Sequence, residues 1–162
     1  MDVLKRLALL VVVCSMFFVV TACASNKIVL SDNIPDFVQE SDFENINWEN
    51  KAVKFGDDGK IIGNENKSGV IGADMPSLNG QKWMWHLWGV DEAELTVIGL
   101  HKKTNTVHQI LTDGWTKHVS GANNGADSHA PSSVKIPKPG EWAILLYTNG
   151  EFFDTLIYEI NE

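Results

Sequence analysis

The chain has 162 residues, 13 basic and 21 acidic side chains, a formal charge of −8 and 44% hydrophobic residues. That length supports one domain standing on its own core. The acidic balance excludes nucleic acid as a partner, because phosphate binding needs a basic patch, and it argues equally against adhesion of the folded part to anionic lipid.

Residues 1–22 read as a signal peptide. Lys5 and Arg6 form a short positive start, and Leu7 to Val20 is an unbroken apolar-to-neutral run, shorter than the roughly 20 residues a spanning helix needs. Thr21 and Ala22 supply the small residues of a cleavage site. The next residue, Cys23 in "VVTAC", gives a stretch that resembles the lipobox of bacterial lipoproteins. There the cysteine sulfur takes a diacylglycerol with palmitate-type chains and the chain is cut just before it. A thiolate is the nucleophile such chemistry requires, and two acyl chains anchor stably where one does not. The expected location is the cell membrane, lipid-anchored, on the extracellular face. Asp2 is a small departure from the pattern. With Cys14 removed and Cys23 acylated, no thiol remains for a disulfide, a thiolate metal site or a cysteine nucleophile.

Residues 23–50 read as the lipidated N-terminus and a polar, acidic tether. A short helix is expected near Pro35, capped by Asp32 or Asn33, with Phe37, Phe43 and Trp48 available to pack back on the domain. Residues 51–162 are expected to form the folded domain. Turn signals arrive at short, even intervals with no long helical period, which predicts an all-β, immunoglobulin-like antiparallel β-sandwich. "AVKF" precedes the turn "GDDG", "KII" and "GVIG" flank "GNENKS", and "KWMWHLWG" is a tryptophan-rich strand. "ELTVIGLHK" and "TVHQILT" form a hairpin, and "SSVKI" is a short strand stopped by Pro137. "EWAILLYTNGEFFDTLIYEI" is two strands joined by Asn149-Gly150, a strong type I′ turn signal.

Alternation along 82–89 places Trp83, Trp85 and Leu87 on one face and Met84, His86 and Trp88 on the other. One row must be core. The other is either covered or a platform for a sugar ring or apolar group. The segment "SGANNGADSHAPSS", residues 120–133, is long for a loop without structure of its own. Asn124, Asp127 and His129 are its candidate ligand contacts; Asn123 and Ser128 add oxygens for Ca²⁺, but one carboxylate is too few for tight binding. Side chain to backbone bonds within the loop account for the same composition. With the hairpin turn centred on Thr104-Asn105, His101 and His108 face each other, a weak metal pair that needs further ligands. No enzyme signature is present, so no catalytic residue, cofactor or resident metal is expected.

The stretches "GVIG", "KWMWHLWG", "GLHK", "GANNGADSHAPSS" and "PKPGEWAILLYTNGEFFDTLIYEI" resemble a family of uncharacterised lipoproteins of Bacillus-type bacteria. That family is defined by a domain of unknown function and brings no catalytic residues. It implies an extracytoplasmic β-sandwich on the cell surface. Phe153-Asp154-Thr155 stands where glycine-serine chemistry is expected in relatives, which marks the outer face of the last strand as different. The resulting expectation is an extracytoplasmic binding module for an envelope ligand, read by Trp88, Trp115, Asn124, Asp127 and His129. The alternative is a protein-interaction module, inhibitor or immunity-like; a weaker one is metal handling.

Overall fold

Ten strands follow one another in chain order: β1 (Val53–Phe55), β2 (Ile61–Asn64), β3 (Ser68–Ile71), β4 (Gln81–Leu87), β5 (Glu92–His101), β6 (Thr106–Gln109), β7 (Thr116–Ser120), β8 (Ser128–Val134), β9 (Gly140–Thr148) and β10 (Glu151–Ile160). They belong to a computed structural model that describes residues 27–161. The expected signal peptide and the expected lipidation site, Cys23, therefore lie outside the described residues. Among the described residues no helix is long and apolar enough to cross a membrane.

The all-β, antiparallel expectation is met, but the strands do not separate into the two facing sheets of an immunoglobulin sandwich. They form one hydrogen-bonded sheet, β1-β2-β3-β4-β8-β7-β5-β9-β10, with β6 also on β5. The reason lies in β5, whose ten residues pair with β9 along one edge and with β7 and then β6 along the other. A strand that bridges so many neighbours keeps the ladder continuous, and the twist of a long sheet brings its ends together. The backbone N–H of Ala52 donates to the Ile157 carbonyl at 3.0 Å. The Tyr158 hydroxyl donates to the Ile62 carbonyl at 2.8 Å. Those contacts fasten β10 to the first hairpin across a seam.

Curling creates one enclosed core. Trp83, Trp85 and Leu87 point inward with Leu95, Val134, Trp142 and Leu156, all at most 1% exposed. The question posed by the tryptophan strand is thus resolved: the row 83, 85, 87 is core. Each inward indole also finds an acceptor, as buried Trp N–H groups must. Trp83 Nε1 donates to Ser77 Oγ at 3.2 Å, Trp85 Nε1 to Ser132 Oγ at 2.8 Å and Trp142 Nε1 to the Lys138 carbonyl at 3.0 Å.

A second apolar cluster lies on the opposite face of the sheet. Ile98, Leu100, Leu145, Tyr147 and Ile157 are covered there by Val38 and Phe43, with Ile34, Ile46 and Trp48 packed alongside. Because both faces are buried, "TVIGL" and "AILLY" read as continuous apolar runs rather than alternating ones. The cover comes from residues 27–50, read above as tether. Val29 bridges to Thr106, and a turn at Pro35–Val38 replaces the expected helix; the only helical piece among the described residues is a 3₁₀ turn at Glu40–Phe43. Its entry is closed by Asp42, whose carboxylate accepts the Gln39 backbone N–H at 2.9 Å.

Candidate functional site

The outer row of β4 sits between β3, where Gly69 faces His86, and β8, where His129 faces His86. Glycine at 69 leaves room for the Phe55 ring to fold over the strands: a Cβ there would come within 3.0 Å of that ring and 2.5 Å of Ile61. Phe55 in turn packs on Trp88, ring centroids 5.5 Å apart. Trp88 is accordingly half-buried, on the rim of a covered face.

The cover over His86 comes from the loop after β7. Asn124 and Gly125 both take positive φ, 48° and 81°, while Asn123 and Ala126 exchange two backbone hydrogen bonds. The loop is therefore a miniature hairpin built on the Asn-Gly chemistry that also joins β9 and β10. The loop is shorter than the sequence suggested, because β8 already begins at Ser128. Pro131 is accommodated inside β8 because β7 pairs with that strand only at Ser120–His129.

This hairpin places the candidate residues. Asn124 Nδ2 donates to His86 Nε2 at 3.0 Å, and His86 Nδ1 donates to the Met84 carbonyl at 3.1 Å, which fixes a neutral ring with its proton on Nδ1. Asp127 accepts the Gly89 backbone N–H at 2.6 Å, tying the end of the tryptophan strand to the loop. His129 Nδ1 donates to the Gly121 carbonyl at 2.8 Å, and its ring stacks near His86 with centroids 6.4 Å apart. Trp88, Asn124, Asp127 and His129 thus gather with His86 on one face. Beside them an open groove of about 400 Å³ runs between the Gly56–Asp58 turn and Asn124-Gly125, floored by Ile61 and Ile71.

Trp115 does not join them. It packs in the second cluster, with Ile98 and Leu145, on the other side of the sheet. That side of the sheet is covered by Val38 and Phe43, and Trp115 is half-buried there, away from the other candidate ligand contacts.

The His101–His108 pairing also needs correction. Asn105 has φ 48° and closes a four-residue loop, so His101 faces Thr106 and His108 faces Gly99. The two rings instead flank Trp142, at 5.0 and 5.4 Å. They are joined by a chain of hydrogen bonds from His101 through Thr104 and Thr106 to His108, with links of 2.9, 2.7 and 2.7 Å. His101 Nε2 donates to the Pro139 carbonyl at 3.1 Å, so its Nδ1 must accept from Thr104 and the direction of the whole chain follows. Both ring nitrogens of His101 are occupied, which leaves none for a metal. Among the described residues no cluster of three or more His, Cys, Asp or Glu side chains could hold a metal ion.

His86, His101 and His108 are all held below the ordinary histidine value of 6.5, in each case first by burial, which penalises the charged ring. A depressed pKa means that the unfolded chain takes up protons which the folded chain refuses. Stability is then full above about pH 6.5 and falls as pH drops through that value. Thermal melts from pH 8 to 5 should show a declining Tm below about 6.5, and His101→Gln should flatten part of the slope. A flat profile across that range would contradict the burial of these rings.

One cavity escaped the sequence reading. It lies on the outer side of the seam, has a volume of about 400 Å³, and is lined by residues of the 42–50 segment and of β10. Its signal was present in Asp154, a carboxylate set between Phe152-Phe153 and the apolar run Leu156-Ile157-Tyr158. A bulge between Phe152 and Asp154 re-aims that side chain.

Together these features define a small all-β domain with a loop-covered outer face. Residues 37–158 match the family model "Domain of unknown function (DUF4871)", and the chain belongs to that family. The fold is similar to the crystal structure of a candidate lipoprotein from Bacillus anthracis, at 21% identity and a TM-score of 0.65, with 80% of this chain and 97% of that one covered. No curated protein matches the chain.

Proposed function

We propose that this protein is a lipid-anchored, extracytoplasmic binding module that is held at the membrane through Cys23 and reads an envelope ligand with its loop-covered face. The observation that carries the reading is the pre-organised Asn124-Gly125 hairpin, locked by its own backbone bonds and by His86. A fixed polar loop beside an open groove and a half-buried tryptophan is what small-ligand recognition requires. Asn124 and the carboxylates of Asp57 and Asp58 would orient the ligand, with Trp88 at the apolar edge. The resemblance to Bacillus lipoproteins and the lipobox at Cys23 support the location.

The test is a thermal-shift series on the mature lipidated protein in detergent against cell-wall fragments. A ligand at about 100 times its dissociation constant should stabilise by about 2.7 kcal/mol. Asn124→Ala should abolish that shift; because the residue sits at positive φ and donates to buried His86, the unliganded Tm falls as well, so binding is read as the ligand-induced shift from the variant's own Tm. A shift that survives this substitution would move the site elsewhere.

A second reading, a protein-interaction module, is favoured by one feature. Val53 is 58% exposed on the same face as Phe55 in the short edge strand β1, extending the apolar patch around Trp88. A protein partner there would leave the cell-wall panel without effect and would be weakened by Val53→Lys.

A further inference from the structure

We propose that the seam cavity is a saccharide site, separate from the loop-covered face. Its walls combine two surfaces that a sugar ring needs together. Ile46, Phe152 and Ile157 line it with apolar surface, while Asp42, Asp154 and Thr155 line it with acceptors and a hydroxyl. Three asparagines, at 45, 47 and 50, add amides that both donate and accept.

The orientation of these groups is fixed by the fold rather than left to flexible side chains. Asp42 Oδ2 accepts the Tyr147 hydroxyl at 2.9 Å as well as the Gln39 N–H, which leaves Oδ1 without a protein donor among the described residues. Asp154 receives Asn64 Nδ2 at 3.0 Å and Ser68 Oγ at 2.5 Å across the seam. Both carboxylates are thus held by neutral donors, and no lysine forms an ion pair with either among the described residues. A carboxylate oxygen left without a protein donor at the wall of a cavity, as at Asp42 Oδ1, accepts from ligand hydroxyls, the interaction most useful for binding a polyol.

The aromatic side is equally particular. Phe152 is 54% exposed and Phe37 40% exposed, and the Tyr147 ring lies between them at 5.8 and 5.6 Å. The negative ring face attracts the positively polarised C–H groups that line one side of a pyranose. A phosphate or other anion would meet two aspartates and no cation. A wholly apolar ligand would strand the carboxylates and amides. A ligand that is polar on its rim and apolar on its faces satisfies every group, and about 400 Å³ falls within the range of small-ligand pockets.

The experiment is isothermal titration calorimetry on the mature lipidated protein in detergent, with N-acetylglucosamine tetrasaccharide, its de-acetylated counterpart and maltotetraose at millimolar concentration. Hydrogen–deuterium exchange on the same samples locates the site. Saturable heat with at least one saccharide, together with protection over residues 42–50 and 150–156, is the expected result. Phe152→Ala should weaken binding about tenfold with an unchanged Tm, and the exposed Asn50→Ala should weaken it independently. The neutral and amine-bearing sugars distinguish recognition of hydroxyls alone from recognition assisted by a cation. No heat with any saccharide overturns the proposal. Equal binding of a simple diamine overturns the sugar assignment, and protection confined to the 121–127 loop overturns the location while supporting the other face.

Discussion

Trp85→Ala is expected to lower the free energy of unfolding by about 4 kcal/mol, which for a domain of this size corresponds to a fall in Tm of roughly 10 °C. Trp85 is 1% exposed and lies in the middle of β4, paired with Val70 on one side and Ala130 on the other. Its ring meets Trp83 at 5.5 Å, so truncation removes the transfer energy of an indole and also opens a cavity against a second one. The Ser132 hydroxyl, 3% exposed, would lose the N–H it accepts but can still donate to the Trp83 carbonyl. Trp85→Phe keeps most of the apolar area and loses that hydrogen bond and the volume of one ring, so a smaller loss of about 2 kcal/mol is expected. Urea unfolding of both variants separates the two contributions, since an unchanged m-value shows that the same surface is exposed. A loss below about 1 kcal/mol in Trp85→Ala would mean that the inward row had been assigned to the wrong face.

That assignment shows how far this fold is legible in its sequence. Period-two alternation separates Trp83, Trp85 and Leu87 from His86 and Trp88, and it needs no tertiary information. The β9–β10 hairpin is equally local, because Asn149 and Gly150 declare positive φ by their identity and the register follows. The same rule applied to "NNGA" marks a turn at Asn124-Gly125, yet the composition around it reads as loop. Its hairpin bridges only Asn123 and Ala126, too short to leave an alternating pattern. At Asn105 the local rule misleads by two residues, since a left-handed asparagine closes two-residue and four-residue loops alike. Closure of the sheet was not legible at all. The partners of Asp154, Asn64 and Ser68, are about ninety residues away, and whether one sheet curls or two sheets face depends on which edges β5 pairs. The placement of Trp115 depends on the same thing, because the cluster it packs against, half-buried, forms only with Val38 and Phe43 of the N-terminal segment on that side of the sheet.

Asp154→Ala should be the most damaging polar substitution, with an expected loss of about 3 kcal/mol. The carboxylate gathers Asn64 Nδ2, Ser68 Oγ and the Thr155 backbone N–H, so β2, β3 and β10 meet on one side chain. Hydrogen bonds to a charged acceptor contribute more than neutral ones, and removing the acceptor leaves the fully buried Ser68 hydroxyl without its partner. Asp154→Asn retains the Ser68 bond but turns an amide towards the Asn64 amide, so about half the loss is expected. The distinction between latch and ordinary surface residue lies in where the damage appears. If Asp154 closes the seam, hydrogen exchange should accelerate in β1, β2 and β10, while β4, β5 and β9 stay protected until global unfolding. Uniform acceleration would mean that the sheet has no separable seam. A loss under about 0.5 kcal/mol, the range of ordinary surface changes, would show that Ala52–Ile157 and Tyr158–Ile62 close it unaided. Because the same carboxylate lines the cavity, the latch also sets the shape of the proposed sugar site. Loosening β10 should therefore weaken saccharide binding even in a variant, such as Ser68→Ala, whose side chain never reaches the ligand.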